Sequence, residues 1–350
     1  MLESYDVLGY LLRGGPLAES TVRQQRAVFR RFCIAVSLLI SALVWRSATS
    51  QAGPQSDSGA KVEPAGQTAV LVGAGDIVGC GNPQGALATA KLIAEVPGTV
   101  FAVGDLVYDA TTLSQFQKCY GSSWGKFKER TRPALGNHEY QEPHATPYFQ
   151  YWGAQAGPAG KGYYSYELGA WHVVVLNTNC AAAGLGGCAA GSPQEIWLRQ
   201  DLREHQGACI VAYGHHALFS SGFFRSHAVH PELKPLWDDL YAVHADLMLA
   251  GHEHSYERFA PQDPDGRADP RHGIREIVVG TGGRSHDPLG LAMPNSEARN
   301  VGTYGVLKLT LSAQGYTWEF LAEEGKTFHD SGAGVCHNAA PEQARVKTSE

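Results

Sequence analysis

The feature that most constrains this chain is a set of five apolar runs, each ending in a glycine followed by Asp, Asn or His. The runs at 69–72, 100–103, 210–213 and 247–250 have the length and composition of buried strands. Open α/β sheets place ligand-binding groups just beyond the carboxyl ends of their strands. We therefore expect the five strand ends to meet at one crevice. The closing motifs are GD (75–76), GDLVY (104–108), GNHE (136–139), GHH (214–216) and GHEH (251–254).

The motifs deliver seven side chains of the types that bind metal ions: Asp76, Asp105, Tyr108, Asn137, His215, His252 and His254. Carboxylate, phenolate, amide and imidazole donors in this number are enough for two metal ions that share one carboxylate. A phenolate is a hard anionic donor, which favours a trivalent metal over zinc. His252 and His254 are two residues apart, so on an extended segment both face one pocket while Glu253 points away.

The ordered set GD, GDxxY, GNHE, GH and GHxH resembles the calcineurin-like metallophosphoesterases and, among them, the purple acid phosphatases. The resemblance covers roughly residues 66–337. It implies an α/β fold, a four-layer α/β/β/α sandwich of two mixed β-sheets flanked by helices. The residues indicate the same arrangement, because strand and helix signals alternate first and hairpin signals follow later.

The resemblance divides the seven ligands between two metal ions that share Asp105. The ferric site takes Asp76, Asp105, Tyr108 and His254. The divalent site takes Asp105, Asn137, His215 and His252. Many relatives carry a histidine two residues after the first Asp, where this chain has Val78, whereas Tyr108 matches the purple acid phosphatase pattern. The implied cofactors are therefore two metal ions, Fe³⁺ with Fe²⁺, Zn²⁺ or Mn²⁺.

The resemblance implies a phosphatase that hydrolyses phosphomonoesters of a small phosphorylated substrate by attack of a metal-bound hydroxide. His138 directly follows Asn137, and we expect it to protonate the leaving group; the alternative is a hydrogen bond from His138 to Asp105. A phosphodiesterase or nucleotidase on the same metal centre is a second enzyme hypothesis, because specificity resides in loops. A cell-surface binding module that retains the fold without activity is the non-enzyme hypothesis.

Three further residues are candidates for substrate binding: His216, Arg225 and His227. Relatives place a substrate-facing histidine where this chain has Phe224 and Arg225, so Arg225 offers a positive charge for phosphate instead. Relatives also often carry a proline where this chain has Ala217. We interpret seven other histidines as structural or solvated: His144, His172, His205, His244, His272, His329 and His337.

The first 52 residues predict a secretion signal with an N-terminal extension. Arg30 and Arg31 precede an apolar stretch at 33–45, and small residues offer cleavage after Ser50 or Ala52. An apolar stretch this short predicts no stable membrane span in the mature chain; an uncleaved anchor is the alternative. We expect a protein that is secreted, periplasmic or displayed at the cell surface. The expected parts are a flexible lead-in at 53–66, a metallophosphoesterase catalytic domain at 67–337 and a polar tail at 338–350.

Six cysteines follow the signal, and an even number in an exported chain predicts disulfides, with fifteen possible connectivities. Cys180 and Cys188 flank a loop of small residues and are the predicted local pair. The formal net charge is −6 and no stripe rich in Lys or Arg occurs, so no nucleic-acid-binding surface is evident. The sequence leaves the oligomeric state open.

Overall fold

The computed structural model describes residues 68–182, 184–223 and 230–339. The predicted signal region, the lead-in at 53–66, the residues Arg225 and His227, and nearly all of the polar tail lie outside this part of the chain. Those assignments stay predictions.

Strands and α-helices alternate in the first half of the described chain, and strands dominate the second half. The strands are β1 Ala69–Ala74, β2 Val78–Gly79, β3 Thr99–Val103, β4 Val107–Tyr108, β5 Thr131–Ala134, β6 Tyr164–Leu168, β7 Trp171–Val175, β8 Cys209–Tyr213, β9 Leu247–Ala250, β10 Tyr256–Phe259, β11 Arg275–Val279, β12 Ser296–Asn300, β13 Gly305–Ser312, β14 Gly315–Ala322 and β15 Ser331–Val335. The α-helices are α1 Gln84–Glu95, α2 Leu113–Gln115, α3 Thr146–Trp152, α4 Pro193–Glu204 and α5 Lys234–Ala242.

The strands form two large mixed sheets. The six-stranded sheet has the order β15-β14-β13-β1-β3-β5, and the seven-stranded sheet has the order β12-β10-β11-β9-β8-β7-β6. In each sheet the central strands are parallel, for example β1 with β3 and β8 with β9, and hairpins such as β13–β14 add antiparallel strands. Parallel neighbours end at the same edge of a sheet, which brings the loops that follow them together.

The two sheets pack face to face through aromatic side chains. The rings of Phe101 and Tyr213 lie 5.9 Å apart, and those of Trp171 and Tyr316 lie 5.8 Å apart, each pair joining one sheet to the other. Helix α1 covers the outer face of the six-stranded sheet, and helices α4 and α5 cover the seven-stranded sheet with Leu198 and other buried apolar residues. The predicted four-layer α/β/β/α sandwich is confirmed.

The helical stretch 113–130 is broken into three pieces. Helix α2 begins at a capping box in which Thr112 and Gln115 bond to each other's backbone N–H. A π-helical turn, Phe116–Tyr120, follows, and a separate 3-10 helix covers Trp124–Arg130. Ser122 and Ser123 donate their hydroxyls to the carbonyl of Cys119 between the pieces, and such local bonds compete with a continuous helix.

Three disulfides join the described cysteines: Cys80–Cys119, Cys180–Cys188 and Cys209–Cys336. The local pair that the sequence predicts is one of them. The other two bridge 39 and 127 residues, so only the folded chain brings their partners together. Among the described residues, we find no helix with both the length and the apolar character that a membrane crossing demands.

Replacing Cys180 and Cys188 together by serine is expected to lower the free energy of unfolding by about 2–3 kcal/mol, because the bridge no longer restricts the unfolded chain. Urea unfolding of the variant and the wild-type chain measures the difference. The matched control is wild-type protein refolded with all thiols blocked, which loses all three bridges. An unchanged midpoint and slope in the double variant would refute the predicted contribution.

Candidate metal centre

The five sequence motifs meet where the carboxyl ends of the two sheets come together. Strands β1, β3 and β5 of the six-stranded sheet lead to Asp76, Asp105 and Asn137, and strands β8 and β9 of the seven-stranded sheet lead to His215 and the 252–254 segment. Backbone hydrogen bonds join the two rims, such as the one from Gly75 N–H to the carbonyl of Val279 at 2.9 Å. Both sheets therefore contribute to one crevice, as the sequence predicts.

One group of donor atoms surrounds the phenol of Tyr108. Its hydroxyl lies 2.7 Å from Oδ1 of Asp76 and 2.9 Å from Nε2 of His254. Nε2 of His254 lies 3.3 Å from the same Asp76 oxygen. The short parallel pairing of β2 with β4 holds Tyr108 beside the first strand end. These atoms belong to three of the four residues that the resemblance assigns to a ferric site.

A second group of donor atoms surrounds Nε2 of His215. Oδ1 of Asn137 lies 3.1 Å from this nitrogen, Oδ2 of Asp105 lies 3.4 Å from it, and Nδ1 of His252 lies 3.2 Å from it. These four residues are the ones that the resemblance assigns to the divalent site. Donor atoms of Asp76, Asp105 and His215 all lie within 4.8 Å of one another, so Asp105 stands between the two groups.

The chemistry of the second group fits a cation. Nδ1 of His215 lies 2.8 Å from the carbonyl of Val103, so Nδ1 carries a proton and Nε2 is the nitrogen left for a metal ion. Nε2 faces the amide oxygen of Asn137 and the carboxylate of Asp105, both of which are acceptors, so either a second proton on the ring or a cation has to lie among these atoms. Buried acceptors that face one another are costly unless a positive charge lies between them. This arrangement suits a metal ion.

Backbone geometry at the ligand positions is unusual. Asp76, Asp105 and His252 all have positive φ, at 61°, 51° and 70°. Non-glycine residues in this left-handed region are uncommon and cluster at functional sites, where the surrounding fold holds them. The glycines in the motifs permit close approach: a Cβ on Gly136 would collide with the Asp105 carboxylate, and one on Gly251 would lie 2.6 Å from Oδ2 of Asp76.

The charges in the crevice perturb one another. Burial alone raises the pKa of Asp105, but the neighbouring His215 and His138 hold it well below its usual range. Burial lowers the pKa of His215, yet Asp105 and Asp76 outweigh burial and raise it to about 10. Burial, followed by the carboxylates of Asp105 and Asp76, raises the pKa of Tyr108 well above its usual value. A phenolate at this position therefore needs a cation beside it.

Buried polar residues that the sequence did not single out fix the ligand loops. Glu139 accepts hydrogen bonds from the backbone N–H groups of Asp105, Leu106 and Gly136, at 3.0, 2.8 and 2.7 Å. Burial and the Asp105 charge raise the pKa of Glu139 to about 7. Its place in GNHE was visible in the sequence, but two of its three partners, Asp105 and Leu106, lie more than 30 residues away. The hydroxyl of Thr178 accepts the backbone N–H groups of His215 and His216, and Nδ1 of His254 contacts Oγ of Ser285 at 2.6 Å.

His138 lies beside the centre without joining either donor group. Its ring packs 4.2 Å from the Tyr108 ring, and its Nε2 lies 3.8 Å from Oδ2 of Asp105. The amide of Gln141 donates to Nδ1 at 2.8 Å, so the neutral ring carries its proton on Nε2. The backbone N–H of His138, rather than its side chain, makes the short hydrogen bond to Asp105, at 2.9 Å.

His216 lines a cavity next to the second donor group. The cavity has a volume of about 260 Å³, and its wall includes Asn137, Tyr140, Thr178, His216 and His230. Oγ1 of Thr178 lies 2.9 Å from Nδ1 of His216, and the His216 ring centroid lies 4.2 Å from that of His230 and 4.5 Å from that of His252. The assignment of His216 to substrate binding stays a prediction.

The segment that carries His252 and His254 differs from our expectation. It is a series of bends before β10, with the positive φ at His252, rather than an extended strand. Glu253, between the two histidines, is buried, and burial together with the charge of Asp287 raises its pKa to about 7. Both histidines still reach the crevice, because the bend at His252 is fixed by its backbone N–H donating to Asp76 at 2.8 Å.

The sequence profile of the calcineurin-like phosphoesterases matches residues 62–256, and the chain belongs to this family. The chain is also 28% identical to purple acid phosphatase 23 of Arabidopsis thaliana over 202 residues. The aligned region covers 46% of this chain and 42% of that protein. The chain thus spans less than half of the length of the curated relatives it matches.

Solved structures show the same fold. Purple acid phosphatase PPD1 from yellow lupin superposes with a TM-score of 0.61 at 18% identity, covering 79% of this chain and 56% of that one. GAP50, the anchor in the inner membrane complex of Plasmodium, superposes with a TM-score of 0.62 at 14% identity, covering 77% of this chain and 89% of that one. At these identities the two structures support the fold alone.

Proposed function

We propose that this protein is a secreted phosphatase that hydrolyses phosphomonoesters at a dinuclear metal centre. The observation that carries the proposal is the convergence of two donor groups on either side of Asp105, with Nε2 of His215 lying 3.1 Å from Oδ1 of Asn137 and 3.4 Å from Oδ2 of Asp105. The family membership and the similarity to purple acid phosphatases support the same chemistry.

The ligands are divided as the donor distances group them. Asp76, Tyr108 and His254 hold one metal ion, Asn137, His215 and His252 hold the other, and Asp105 belongs to both. A phenolate beside two carboxylates suits Fe³⁺, while the amide, imidazole and carboxylate set suits Fe²⁺, Zn²⁺ or Mn²⁺. When bound, such a pair supplies Lewis-acid stabilisation of phosphoryl oxygens and a source of hydroxide near neutral pH.

The protein side chains around the centre orient the substrate and move a proton. His138 has its Nε2–H directed towards the crevice because Gln141 occupies Nδ1, so it can donate to the oxygen of a departing alkoxide. His216 and His230 border the cavity beside Asn137, where the organic part of a small phosphoester fits. Arg225 and His227 are further candidates for contacts with the substrate.

Export of the protein is part of the proposal. The N-terminal 52 residues have the pattern of a secretion signal, and three disulfides join all six cysteines that follow it. Disulfides persist in oxidising compartments and are rare in the cytosol of mesophiles. Fractionation of the source cells, followed by N-terminal sequencing of the exported chain, tests both the location and cleavage after Ser50 or Ala52.

A substrate panel separates the proposed function from its alternatives. Purified protein is assayed against alkyl and aryl phosphomonoesters, phosphodiesters and nucleotides, with metal content measured on the same sample. A preference for monoesters supports the proposal. A preference for diesters or nucleotides identifies the same centre with another specificity, and a metal-loaded chain that hydrolyses none of them identifies a binding module.

Tyr108→Phe is expected to abolish visible absorption from a protein that contains ferric iron. The reason is that charge transfer from phenolate to Fe³⁺ requires Tyr108 as a ligand, and its hydroxyl lies among the donor atoms of Asp76 and His254. Optical spectra of iron-matched samples give the measurement. Tyr304→Phe is the control, because Tyr304 stacks on the ring of His286 and is not among the proposed ligands. A colour that survives Tyr108→Phe unchanged would exclude the phenolate ligand.

A further inference from the structure

A second cluster of metal-ligating side chains lies at the opposite end of the seven-stranded sheet. Glu167 on β6 and His172 on β7 are directly paired across the hairpin, and His205 follows the end of α4. His172 pairs with Ile210 on β8, five residues before His215. At about 3.3 Å per residue, this places the cluster roughly 16 Å from the candidate metal centre.

The hydrogen bonds of the cluster fix the orientation of both imidazoles. Oδ2 of Asp201 lies 2.7 Å from Nε2 of His172, and Ser165 donates to the other carboxylate oxygen at 2.7 Å. Nε2 of His172 therefore carries a proton. Nδ1 of His205 lies 2.7 Å from the backbone carbonyl of Asp201, which assigns a proton to that nitrogen as well. The remaining nitrogen of each ring faces Glu167.

Three acceptor atoms are thus directed at one another. Oε1 of Glu167 lies 2.6 Å from Nδ1 of His172 and 3.5 Å from Nε2 of His205. All three donor atoms lie within 4.8 Å of one another. His172 is 1% exposed, so it cannot turn to water for a hydrogen bond. A positive charge is needed at this point, and either protons or a metal ion can supply it.

Protons satisfy the cluster only in part. A proton on Nδ1 of His172 satisfies the 2.6 Å contact of this nitrogen with Oε1 of Glu167. That proton lies in the hydrogen bond between His172 and Glu167, so Nε2 of His205 still faces a carboxylate without a proton between them. A second proton would put two imidazolium rings in a stack, with centroids 3.7 Å apart and planes 15° apart. Like charges at that separation repel strongly.

We propose that Glu167, His172 and His205 form a third metal site, which takes Zn²⁺ and ties the β6–β7 hairpin to the end of α4. Two imidazoles and one carboxylate with a water are a common zinc set. Bond lengths near 2.1 Å place tetrahedral ligand atoms about 3.4 Å apart, which the Glu167–His205 distance of 3.5 Å matches. Glu167 must withdraw from His172, and its side chain, 58% exposed, has the room to do so.

Asp201 has the place of a positioning residue in this site. It accepts the hydrogen bond from Nε2–H of His172, which leaves Nδ1 to bind the ion. This is the carboxylate–histidine–metal arrangement that is found around zinc. Ser165 in turn holds Asp201, so the ring of His172 is oriented before the ion arrives. We had interpreted His172 and His205 from the sequence as structural or solvated, because a lone histidine carries no sign of partners five and thirty-three residues away.

The experiment is a zinc titration of the full secreted chain, produced without a polyhistidine tag and with its catalytic metals in place. Zinc bound per chain is measured by elemental analysis after equilibrium dialysis, and melting temperature is followed in parallel. The variants are His205→Ala and Asp201→Asn. His329→Ala is the matched control, since Nε2 of His329 lies 3.0 Å from Oγ of Ser331 in the connection between β14 and β15 of the six-stranded sheet.

We expect the wild-type chain and His329→Ala to bind one more zinc per chain than His205→Ala. Zinc should raise their melting temperature by about 5 °C at a hundredfold excess over Kd, and leave that of His205→Ala unchanged. Asp201→Asn should weaken zinc binding by about 10–100-fold. Equal zinc uptake in wild type and His205→Ala would overturn the site. If His205→Ala does not fold, Glu167→Gln takes its place, because Glu167 is exposed. Its zinc uptake is then compared with that of the wild-type chain.

Discussion

Asp105→Ala is expected to remove both metal ions and to reduce phosphomonoester hydrolysis by more than about 10³-fold, beyond what loss of one electrostatic donor costs. Asp105 lies between the two donor groups, with Oδ2 3.4 Å from Nε2 of His215 and Oδ1 accepting the backbone N–H of His138. Without its carboxylate, both groups lose the one ligand that they share. Metal content and the rate constant of the purified variant give the measurement.

Two comparisons make this result specific. Asp105→Asn keeps the size of the side chain and its hydrogen bond to His138, so it separates loss of charge from loss of packing. Asp265→Ala removes a carboxylate from an exposed loop and should change neither metal content nor rate. A folded Asp105→Ala chain, verified by circular dichroism, that retains both metals and full activity would disprove the shared-ligand arrangement.

His138→Asn is expected to slow the hydrolysis of an alkyl phosphate by about 10²–10⁴-fold, the usual range for one acid-base group. An activated aryl phosphate should lose much less, because its leaving group departs readily without a proton. Metal content should stay at the wild-type value, because His138 is not a proposed ligand. Its Nε2 lies 3.8 Å from Oδ2 of Asp105. Steady-state rates on the two substrates measure the contrast.

The control for this variant is Gln141→Leu, which removes the hydrogen bond to Nδ1 of His138 but leaves the imidazole. Its effect should be smaller and in the same direction, because the ring loses its fixed tautomer. If His138→Asn slows both substrates by the same factor, His138 positions the phosphate or a metal ion, and its assignment as the acid is wrong.

The positions of the candidate ligands were predictable because each depends on a local pattern. An apolar run that ends in Gly-Asp or Gly-His predicts a strand and the residue at its end, so Asp76, Asp105 and His215 could be placed from the sequence. The two-sheet fold followed from the order of strands and helices. The conformation of His252 could not be predicted, because its positive φ depends on a hydrogen bond to Asp76, 176 residues away.

What the sequence missed depends on contacts between distant segments. Glu139 holds the backbone of Asp105 and Leu106, and nothing in the letters GNHE reveals that partner. The same holds for Ser285, which contacts His254 from a loop 31 residues later. The cluster of Glu167, His172 and His205 joins a hairpin to a helix end, so it exists only in the folded chain.

Elemental analysis of the purified His205→Ala chain is the most direct test of the dinuclear centre. This variant lacks a ligand of the proposed third metal site, so zinc at that site does not add to the count. We predict two metal ions per chain, one of them iron, together with hydrolysis of phosphomonoesters by the same sample. The result that would contradict the account is a folded chain that, after reconstitution with iron and a divalent metal, binds one ion or none.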